Sequence, residues 1–278
     1  MAAQVNVDVL LIGCGNMGHA MAAGWLTDSG VIAVRVIEPT ESLRRRAAAI
    51  GAIACASIEQ ISTSPTPAVV VLAVKPQQMD TVLSEVRRFA EAGALVLSVA
   101  AGVGLRRMEA SLGPGAAVIR CMPNTPAAIG AGMMVCGPNR WVSNDQRALA
   151  QRLLSVSGRV CFIDDEALMD AVTAVSGSGP AYVFHVIDCL ERAGIAEGLP
   201  GDLARELALQ TVYGAGRLAR EGDTDPATLR QQVTSPNGTT AAALAELMGP
   251  SGVDPVIGRA VHAARRRSAE LGGGQGPV

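Results

Sequence analysis

The sequence of 278 residues has few aromatic and few charged side chains. Aromatic residues make up 3% of the chain and charged residues 17%, whereas 49% of the residues are hydrophobic. Such a composition can bury a core, so intrinsic disorder is excluded as the main state. With a formal net charge of -2 and so few aromatic rings for base stacking, no nucleic acid partner is indicated. We therefore expect a soluble globular protein that acts on a small molecule.

Long hydrophobic runs and metal-binding patterns are also missing. The apolar, charge-free stretches 92–105 and 171–187 are shorter than the roughly 20 apolar residues of a membrane-spanning helix, so no membrane association is expected. No basic segment precedes the first apolar run, so we expect no secretory signal. The six cysteines are widely spaced without a Cys-x-x-Cys pair, and there are only three histidines. These features predict reduced thiols, a cytoplasmic location and no metal site.

Strand and helix patterns alternate in the first part of the chain. Helices are predicted at 19–26, 41–50 and 79–89, and apolar, β-branched runs predict strands at 5–12, 31–37, 69–74, 95–99 and 117–121. This alternation is typical of a doubly wound parallel sheet. After about residue 165 the strand patterns end, and helices are predicted at 181–193, 201–221, 225–232, 240–248 and 253–271.

A glycine-rich segment, Gly13-Cys14-Gly15-Asn16-Met17-Gly18, joins the first predicted strand, which ends at Ile12, to the first helix. Gly-x-Gly-x-x-Gly at such a junction is typical of dinucleotide binding. Gly13 permits the tight turn, Gly15 lets a pyrophosphate approach the backbone, and Gly18 allows close helix packing. We therefore expect an α/β fold, with a Rossmann-type dinucleotide-binding domain over residues 1–165. An all-helical dimerisation and substrate-binding domain follows over residues 166–278.

Glu38 ends the second predicted strand, about 20 residues beyond the glycine loop, where an acid binds the adenosine ribose hydroxyls of NAD. Thr40 and three arginines, Arg44, Arg45 and Arg46, follow it closely. A hydroxyl and a guanidinium at these positions could instead bind the 2′-phosphate of NADP, although a solvated helix face explains at least two of the arginines better. The sequence does not decide whether NADH or NADPH is the preferred cofactor.

Lys75 is the one lysine among 23 Lys and Arg residues. It follows the most apolar predicted strand, whose last residues are Ala73 and Val74. Together with Pro76, these residues lie at the sheet edge where open α/β folds bind ligands. Pro76 stops that strand and presents the preceding residue to the crevice. We therefore predict that Lys75 contacts a ligand.

Two glycine- and proline-containing segments lie in the second half. The first, residues 176–181, holds Ser176, Gly177 and Ser178 and opens a helix. The second, residues 234–240 with the sequence Thr-Ser-Pro-Asn-Gly-Thr-Thr, has four hydroxyl side chains and precedes another helix. Hydroxyls, free N–H groups and a helix dipole bind a carboxylate without a charged side chain, so we call it the hydroxyl-rich loop. Ordinary helix capping is the alternative for either segment.

Hydrolytic patterns are absent, since the sequence has no Gly-x-Ser-x-Gly elbow and no paired carboxylates. A hydride transfer needs neither, because the cofactor carries that chemistry and the protein supplies orientation.

Taken in order, these segments resemble those of the pyrroline-5-carboxylate reductases over nearly the whole chain. The resemblance rests on the glycine loop, Ala73 to Pro76, and residues 98–102, 120–126, 176–182 and 234–240. It implies an NAD(P)H-dependent oxidoreductase that transfers hydride to the C=N carbon of 1-pyrroline-5-carboxylate and gives L-proline, the last step of proline biosynthesis. It also implies a homodimer formed through the helical domain, with rings of dimers in some members. In such a dimer the hydroxyl-rich loop completes the partner's site.

The resemblance also implies roles for individual residues. Thr240, whose hydroxyl faces the ring nitrogen, and Lys75 are the candidate catalytic residues. The implied substrate-binding residues are Val233, Ser235, Asn237, Gly238, Thr239, Thr240, Ser176 and Gly177. The implied cofactor-binding residues are Ile12, Gly13, Cys14, Gly15, Asn16, Met17, Gly18, Glu38, Thr40, Ala73, Val74, Lys75, Pro76, Asn124 and Ser178.

Asn237 departs from the family pattern, which has glycine there. Asparagine is the non-glycine residue that best adopts a left-handed backbone, so we expect the loop to keep its path. Its side chain could narrow the pocket, which keeps a six-membered cyclic imine carboxylate open as substrate. Two other classes stay open: a nucleotide-binding regulator, which has no need of the hydroxyl-rich loop, and a methyltransferase, which gives Lys75 no role. The sequence leaves subunit number and feedback by proline undetermined.

Overall fold

The structure is a computed structural model that describes residues 7–28, 30–61 and 65–273. Its strands are β1 Val7–Ile12, β2 Val31–Ile37, β3 Ile53–Cys55, β4 Val69–Leu72, β5 Leu95–Ser98, β6 Val118–Met122, β7 Gly132–Pro138 and β8 Gly158–Phe162. Its helices are α1 Asn16–Trp25, α2 Glu41–Ala49, α3 Met79–Glu91, α4 Leu105–Leu112, α5 Asn144–Ser155, α6 Met169–Val172, α7 Gly179–Ala196, α8 Gly201–Glu221, α9 Pro226–Gln232, α10 Thr239–Leu247 and α11 Val253–Leu271. Residues 5 and 6 of the first predicted strand lie outside the described residues.

The strands form one sheet in the order β3-β2-β1-β4-β5-β6-β7-β8. Strands β1 to β6 are parallel, β7 runs antiparallel to β6, and β8 runs parallel to β7. The Rossmann-type sheet followed by helices is confirmed, but its last two strands are reversed and were not predicted. Gly132, Gly137 and Pro138 interrupt the apolar pattern of β7, and β8 is only partly buried, so neither strand has a strong sequence signal.

Alternate residues of the central strands enter two separate cores. In β1, Val9 and Leu11 pack into one cluster with Trp25, while Leu10 and Ile12 pack into a second cluster on the other face. This follows from the strand period, which points successive side chains to opposite faces. Both faces of β1 and β4 are therefore covered, as their continuous apolar runs predict.

Contacts divide the chain into two compact units, one up to Gly177 and from Arg265 onward, the other Ser178–Ala264. The first unit thus includes residues 166–177 and the end of α11, which the predicted domain limits of 1–165 and 166–278 assign to the helical part. A hydrogen bond from the Ser268 hydroxyl to Asp170 Oδ1, 2.7 Å long, joins these two segments within the first unit. The domain limits themselves stay a prediction.

The helical unit exposes much of its apolar surface. Residues Val183, Phe184, Leu190, Leu207 and Tyr213 of α7 and α8 are each more than 40% exposed, whereas Ala204 and Ala208 are buried. Contiguous apolar surface of this kind marks an interaction site in soluble proteins. Among the described residues, no helix is both long and apolar enough to cross a membrane.

Candidate active site

The glycine loop between β1 and α1 is shaped by close backbone packing. Gly13 has φ +88°, and a Cβ there would lie 2.7 Å from the Ala73 carbonyl oxygen. A Cβ on Gly18 would lie 2.4 Å from the Gly13 carbonyl oxygen. Both positions therefore require glycine because of the protein's own atoms, whatever binds there.

Gly15 is different from the other two glycines of the motif. A Cβ on Gly15 would meet nothing within 4 Å, and its φ of -63° is open to any residue. The space beside it faces the start of α1, where the first N–H groups of a helix have no acceptor within that helix. Open space and free donors together fit a pyrophosphate, as the motif predicts.

A cleft of about 670 Å³ opens beside this loop, at the carboxyl ends of β1, β2 and β4. Strand order reverses between β1 and β4, which is the topological switch point where open α/β sheets bind ligands. The structure places these predicted cofactor residues in its wall: Ile12, Gly13, Gly15, Glu38, Thr40, Ala73, Val74 and Lys75. The wall as found does not include Cys14, Asn16, Met17, Gly18, Pro76, Asn124 or Ser178.

Several cleft residues were missed by sequence reasoning. Ser57 and Glu59 follow β3, and Gln77, Thr81 and Glu85 lie on or just before α3. β3 has only three residues, so no apolar run marks the loop that follows it. The amphipathic pattern of α3 was the available signal, since its polar face had to meet solvent or a cleft.

Glu38 is buried, with 6% of its surface exposed, and both carboxylate oxygens accept hydrogen bonds. Oε2 accepts from the Cys14 backbone N–H at 2.8 Å, and Oε1 from the Thr40 N–H at 2.9 Å. The side chain therefore ties the glycine loop to the turn after β2. Burial and the neighbouring Glu38 carboxylate raise the pKa of the Cys14 thiol, which stays neutral at physiological pH.

The three arginines of α2 have partners of their own. Arg44 Nη1 donates to the carbonyl oxygens of Glu38 and Pro39, each at 2.8 Å. Arg45 pairs with Glu41, one helical turn away, and Arg46 Nη1 lies 3.4 Å from Asn16 Oδ1. None of the three lines the cleft as found in the described part of the chain.

Lys75 stands at the start of the short turn Pro76–Gln78, exposed and in the cleft wall. Within residues 7–28, 30–61 and 65–273, its ammonium group forms no hydrogen bond or ion pair. A single unpaired cation in this cleft is available to an anionic or carbonyl-bearing ligand.

A second cluster joins the loop after β6 to residues 173–177, which form one turn of π-helix. Asn124 Nδ2 donates to the Ser176 carbonyl oxygen at 3.2 Å and lies 3.4 Å from its hydroxyl, while Asn124 Oδ1 accepts from the Met133 N–H at 2.9 Å. A Cβ on Gly177 would lie 2.5 Å from Met122 Cε. Single π-helical turns are frequent at functional sites, and this one displays Ser176.

The hydroxyl-rich loop belongs to the helical unit. Its residues Ser235 to Gly238 form a turn closed by a 3.1 Å bond from the Gly238 N–H to the Ser235 carbonyl oxygen. Among the described non-glycine residues, Asn237 alone has a positive φ, +59°, so the expected left-handed backbone is confirmed. Proline second and asparagine third is the pattern of a type II turn. Since the Gly238 N–H serves this turn, Ser235 and the first N–H groups of α10 remain for a carboxylate.

The hydroxyls of this loop are not equivalent. Thr234 Oγ1 donates to the Arg230 carbonyl oxygen at 2.6 Å, so it serves the end of α9. A Cβ on Gly238 would lie 2.4 Å from Ser235 Oγ, so these two residues pack closely together. α10 begins at Thr239 without a side-chain cap, and Val233 before the loop is 66% exposed. Ser178 precedes α7, whose first turn contains Pro180.

Family models match both parts of the chain. A model described as pyrroline-5-carboxylate reductase dimerisation matches residues 166–271. A model described as NADP oxidoreductase, coenzyme F420-dependent, matches residues 8–102. The chain thus carries a dimerisation domain of that family after a nucleotide-binding domain.

Relatives match nearly the whole chain. The pyrroline-5-carboxylate reductase of Pseudomonas aeruginosa is 40% identical over 264 residues, covering 95% of this chain and 96% of that protein. The Synechocystis enzyme of the same name is 48% identical over 204 residues, 73% of this chain and 75% of that protein. A solved pyrroline-5-carboxylate reductase from Coxiella burnetii has a TM-score of 0.90 at 32% identity, covering 96% of this chain and 98% of that chain. The Plasmodium falciparum enzyme, solved with NADP bound, has a TM-score of 0.81 at 28% identity, covering 96% and 100%.

Proposed function

The chain belongs to the pyrroline-5-carboxylate reductase family, and on that premise we propose that it reduces 1-pyrroline-5-carboxylate to L-proline with NADH or NADPH. The observation that carries the proposal is Gly15, where the fold leaves open space beside the free N–H groups of α1 and the cleft. A regulator without turnover has no need of the hydroxyl-rich loop, and a methyltransferase gives Lys75 no role. The protein is an oxidoreductase that acts on a C=N bond.

The dinucleotide supplies the hydride, and the chain holds and orients it. Residues 13–18 with Ile12 bind the pyrophosphate, Glu38 and Thr40 bind the adenosine ribose, and residues 73–76 line the nicotinamide end. Asn124 and Ser178 are assigned to that same end. The carboxyl-edge position of Gly13, Glu38 and Lys75 around one cleft supports this assignment.

The substrate carboxylate binds the hydroxyl-rich loop, at Ser235 and the N–H groups that begin α10. The start of α10 attracts the negative charge, and the turn through Asn237 leads directly into that helix. Ser176 and Gly177 on the π-helical turn, and Val233, complete the substrate-binding set.

Thr240 and Lys75 are the proposed catalytic residues. When hydride reaches the C=N carbon, the ring nitrogen must carry a proton, and the Thr240 hydroxyl holds that nitrogen in place. A cyclic imine that arrives protonated needs no strong general acid. This agrees with a set of candidate residues that contains hydroxyl and ammonium groups but no histidine.

The chain acts as a homodimer formed through the helical unit, or as a ring of such dimers. The exposed apolar side chains of α7 and α8 support this, because a lone helical unit would leave them in water. The hydroxyl-rich loop of each chain completes the site of its partner. Six free cysteines support a cytoplasmic location.

The decisive experiment follows the loss of reduced-nicotinamide absorbance with 1-pyrroline-5-carboxylate, and separately with a six-membered cyclic imine carboxylate. We expect turnover with the five-membered ring and formation of L-proline. Preference for the six-membered ring would show that the substrate differs in ring size, and would point to Asn237 as the cause. No turnover of either imine, by protein that binds a reduced dinucleotide, would contradict the proposed reaction.

A further inference from the structure

We propose that the adenosine end of the cleft selects the dinucleotide without a 2′-phosphate, so that NADH is the preferred reductant. The proposal rests on the proposed function and decides what the sequence leaves open. It is carried by the presence of Glu38, Ser57 and Glu59 in the wall of one cleft, and by the absence of an arginine from the described wall.

Glu38 is a fixed rather than a mobile acid. The two backbone N–H groups of Cys14 and Thr40 hold its two oxygens at 2.8 and 2.9 Å, and the side chain is buried. Each carboxylate oxygen has lone pairs beyond the one each N–H uses, so it can still accept from ribose hydroxyls. It cannot turn away from a phosphate without leaving both N–H groups unpaired, and the hydrogen bond to the Cys14 N–H is buried.

Glu59 is a second acid in the wall of the cleft. Glu59 lies in the loop after β3 and lines the same cleft as Glu38, Thr40 and Ser57. A hydrogen bond from the Ser57 hydroxyl lowers the pKa of Glu59, so this carboxylate is negative at physiological pH. Carboxylates and hydroxyls suit a ribose diol, whereas a phosphate dianion placed among them would be repelled.

The charges of the whole wall point the same way. Three carboxylates, Glu38, Glu59 and Glu85, line the cleft against the single ammonium group of Lys75. Lys75 follows β4, whereas Glu38 and Thr40 follow β2, and β1 lies between these two strands. The ammonium group is therefore separated from Glu38, the acid proposed to bind the ribose. A dinucleotide with an extra phosphate therefore enters a less favourable field.

The arginines that could have compensated are engaged elsewhere. Arg44 spans two backbone carbonyls, those of Glu38 and Pro39, and thereby fixes the turn after β2. Arg45 is exposed and pairs with Glu41, and Arg46 reaches toward Asn16. Turning the Nη1 group of Arg44 toward a phosphate would break both of these carbonyl bonds.

The test is a binding measurement that needs no turnover. Cofactor-free full-length protein is titrated calorimetrically with ADP-ribose and with 2′-phospho-ADP-ribose, which differ only in the 2′-phosphate. We expect ADP-ribose to bind at least about tenfold more tightly, because like charges are brought together in the other complex. Equal affinity, or tighter binding of the phosphorylated ligand, would overturn the inference and leave the proposed reaction standing. Binding of neither ligand would overturn both the inference and the proposed reaction.

Variants locate the source of the preference. Glu59→Gln changes an exposed side chain and keeps its shape, and we expect it to narrow the affinity ratio about threefold. Glu91→Gln on α3, an exposed acid that does not line the cleft, is the matched control and should leave the ratio unchanged. If Arg46→Gln weakened the binding of 2′-phospho-ADP-ribose but not of ADP-ribose, Arg46 would bind a 2′-phosphate and the inference would be wrong.

Discussion

Asn124 and Ser176 are joined by the side-chain amide of Asn124, whose Nδ2 lies 3.2 Å from the Ser176 carbonyl oxygen and 3.4 Å from its hydroxyl. The other end of the amide accepts the Met133 N–H at 2.9 Å. Asn124 therefore holds the π-helical turn against the start of β7. Besides its predicted role in cofactor binding, Asn124 therefore positions Ser176, a predicted substrate-binding residue.

Asn124→Asp should lower kcat/KM about tenfold, because an oxygen acceptor would face the Ser176 carbonyl oxygen. Steady-state kinetics of this variant, of Ser176→Ala and of the double variant form a cycle. If Asn124 acts through Ser176, the double variant should lose little more than the worse single variant. Fully additive losses would show that the two residues act separately.

Gly15→Ala should retain the fold but lose dinucleotide binding. A Cβ at Gly15 meets no protein atom, so we expect the free energy of unfolding to fall by less than about 1 kcal/mol. Gly18→Ala is the contrast, because its Cβ would lie 2.4 Å from a backbone oxygen; overpacking there should cost about 1–3 kcal/mol or more. Denaturant unfolding with ADP-ribose titration measures both effects. Unimpaired binding by Gly15→Ala, or by the larger Gly15→Val, would refute the assigned pyrophosphate position.

Thr240→Ala should reduce kcat about 100-fold with a smaller change in KM, because it removes the hydroxyl assigned to the ring nitrogen. Thr240→Ser keeps that hydroxyl and should recover most of the rate. Thr234→Ala is the control within the same loop, since its hydroxyl donates to the Arg230 carbonyl oxygen. Unchanged kinetics of Thr240→Ala would remove this residue from the mechanism.

The Asp28–Arg152 pair should make stability depend on acid pH. Two side-chain hydrogen bonds from Arg152, at 2.6 and 3.0 Å, hold the pKa of Asp28 below its ordinary value. Its stabilisation is therefore fully present above the unfolded pKa of about 3.9 and disappears as pH falls through the lower folded pKa. Asp28→Asn should destabilise the protein by about 1 kcal/mol at pH 7.

Denaturant unfolding of wild type and Asp28→Asn, at one protein concentration, checks that pH dependence. The difference between the two proteins should be constant near neutrality and vanish in strong acid. A difference that persists unchanged at the lowest pH would assign the effect to something other than the carboxylate charge.

The strongest sequence patterns predicted the fold best. The limits of β2, α8 and α11 agree with the predicted 31–37, 201–221 and 253–271, because uniform apolar runs or long helical periods end at glycine, proline or charge. β7 and β8 were missed because glycine, proline and partial exposure weaken their pattern. β7 owes its position to pairing with β6, and β8 to pairing with β7, which local sequence does not encode.

The candidate site was predicted in outline but not in its electrostatics. Glycine spacing predicts the pyrophosphate loop because Gly13 and Gly18 answer close backbone packing, while Gly15 leaves open space at the helix start. What Glu38 and Arg44 bind depends on the Cys14 N–H and on two carbonyl oxygens brought near by folding. Glu59 had no signal at all, since it follows a strand of three residues. Only the folded arrangement brings these charges around one cleft.

The sheet ends in short strands, and this limits how copies of the protein can associate. β3 has three residues and β8 has five, with Arg159 among them, so each edge offers few free backbone groups to another chain. Short, charged edges disfavour the strand-to-strand addition that leads to open-ended aggregates. Assembly is thereby directed toward the apolar helix faces, where contacts between copies can close and stop growing.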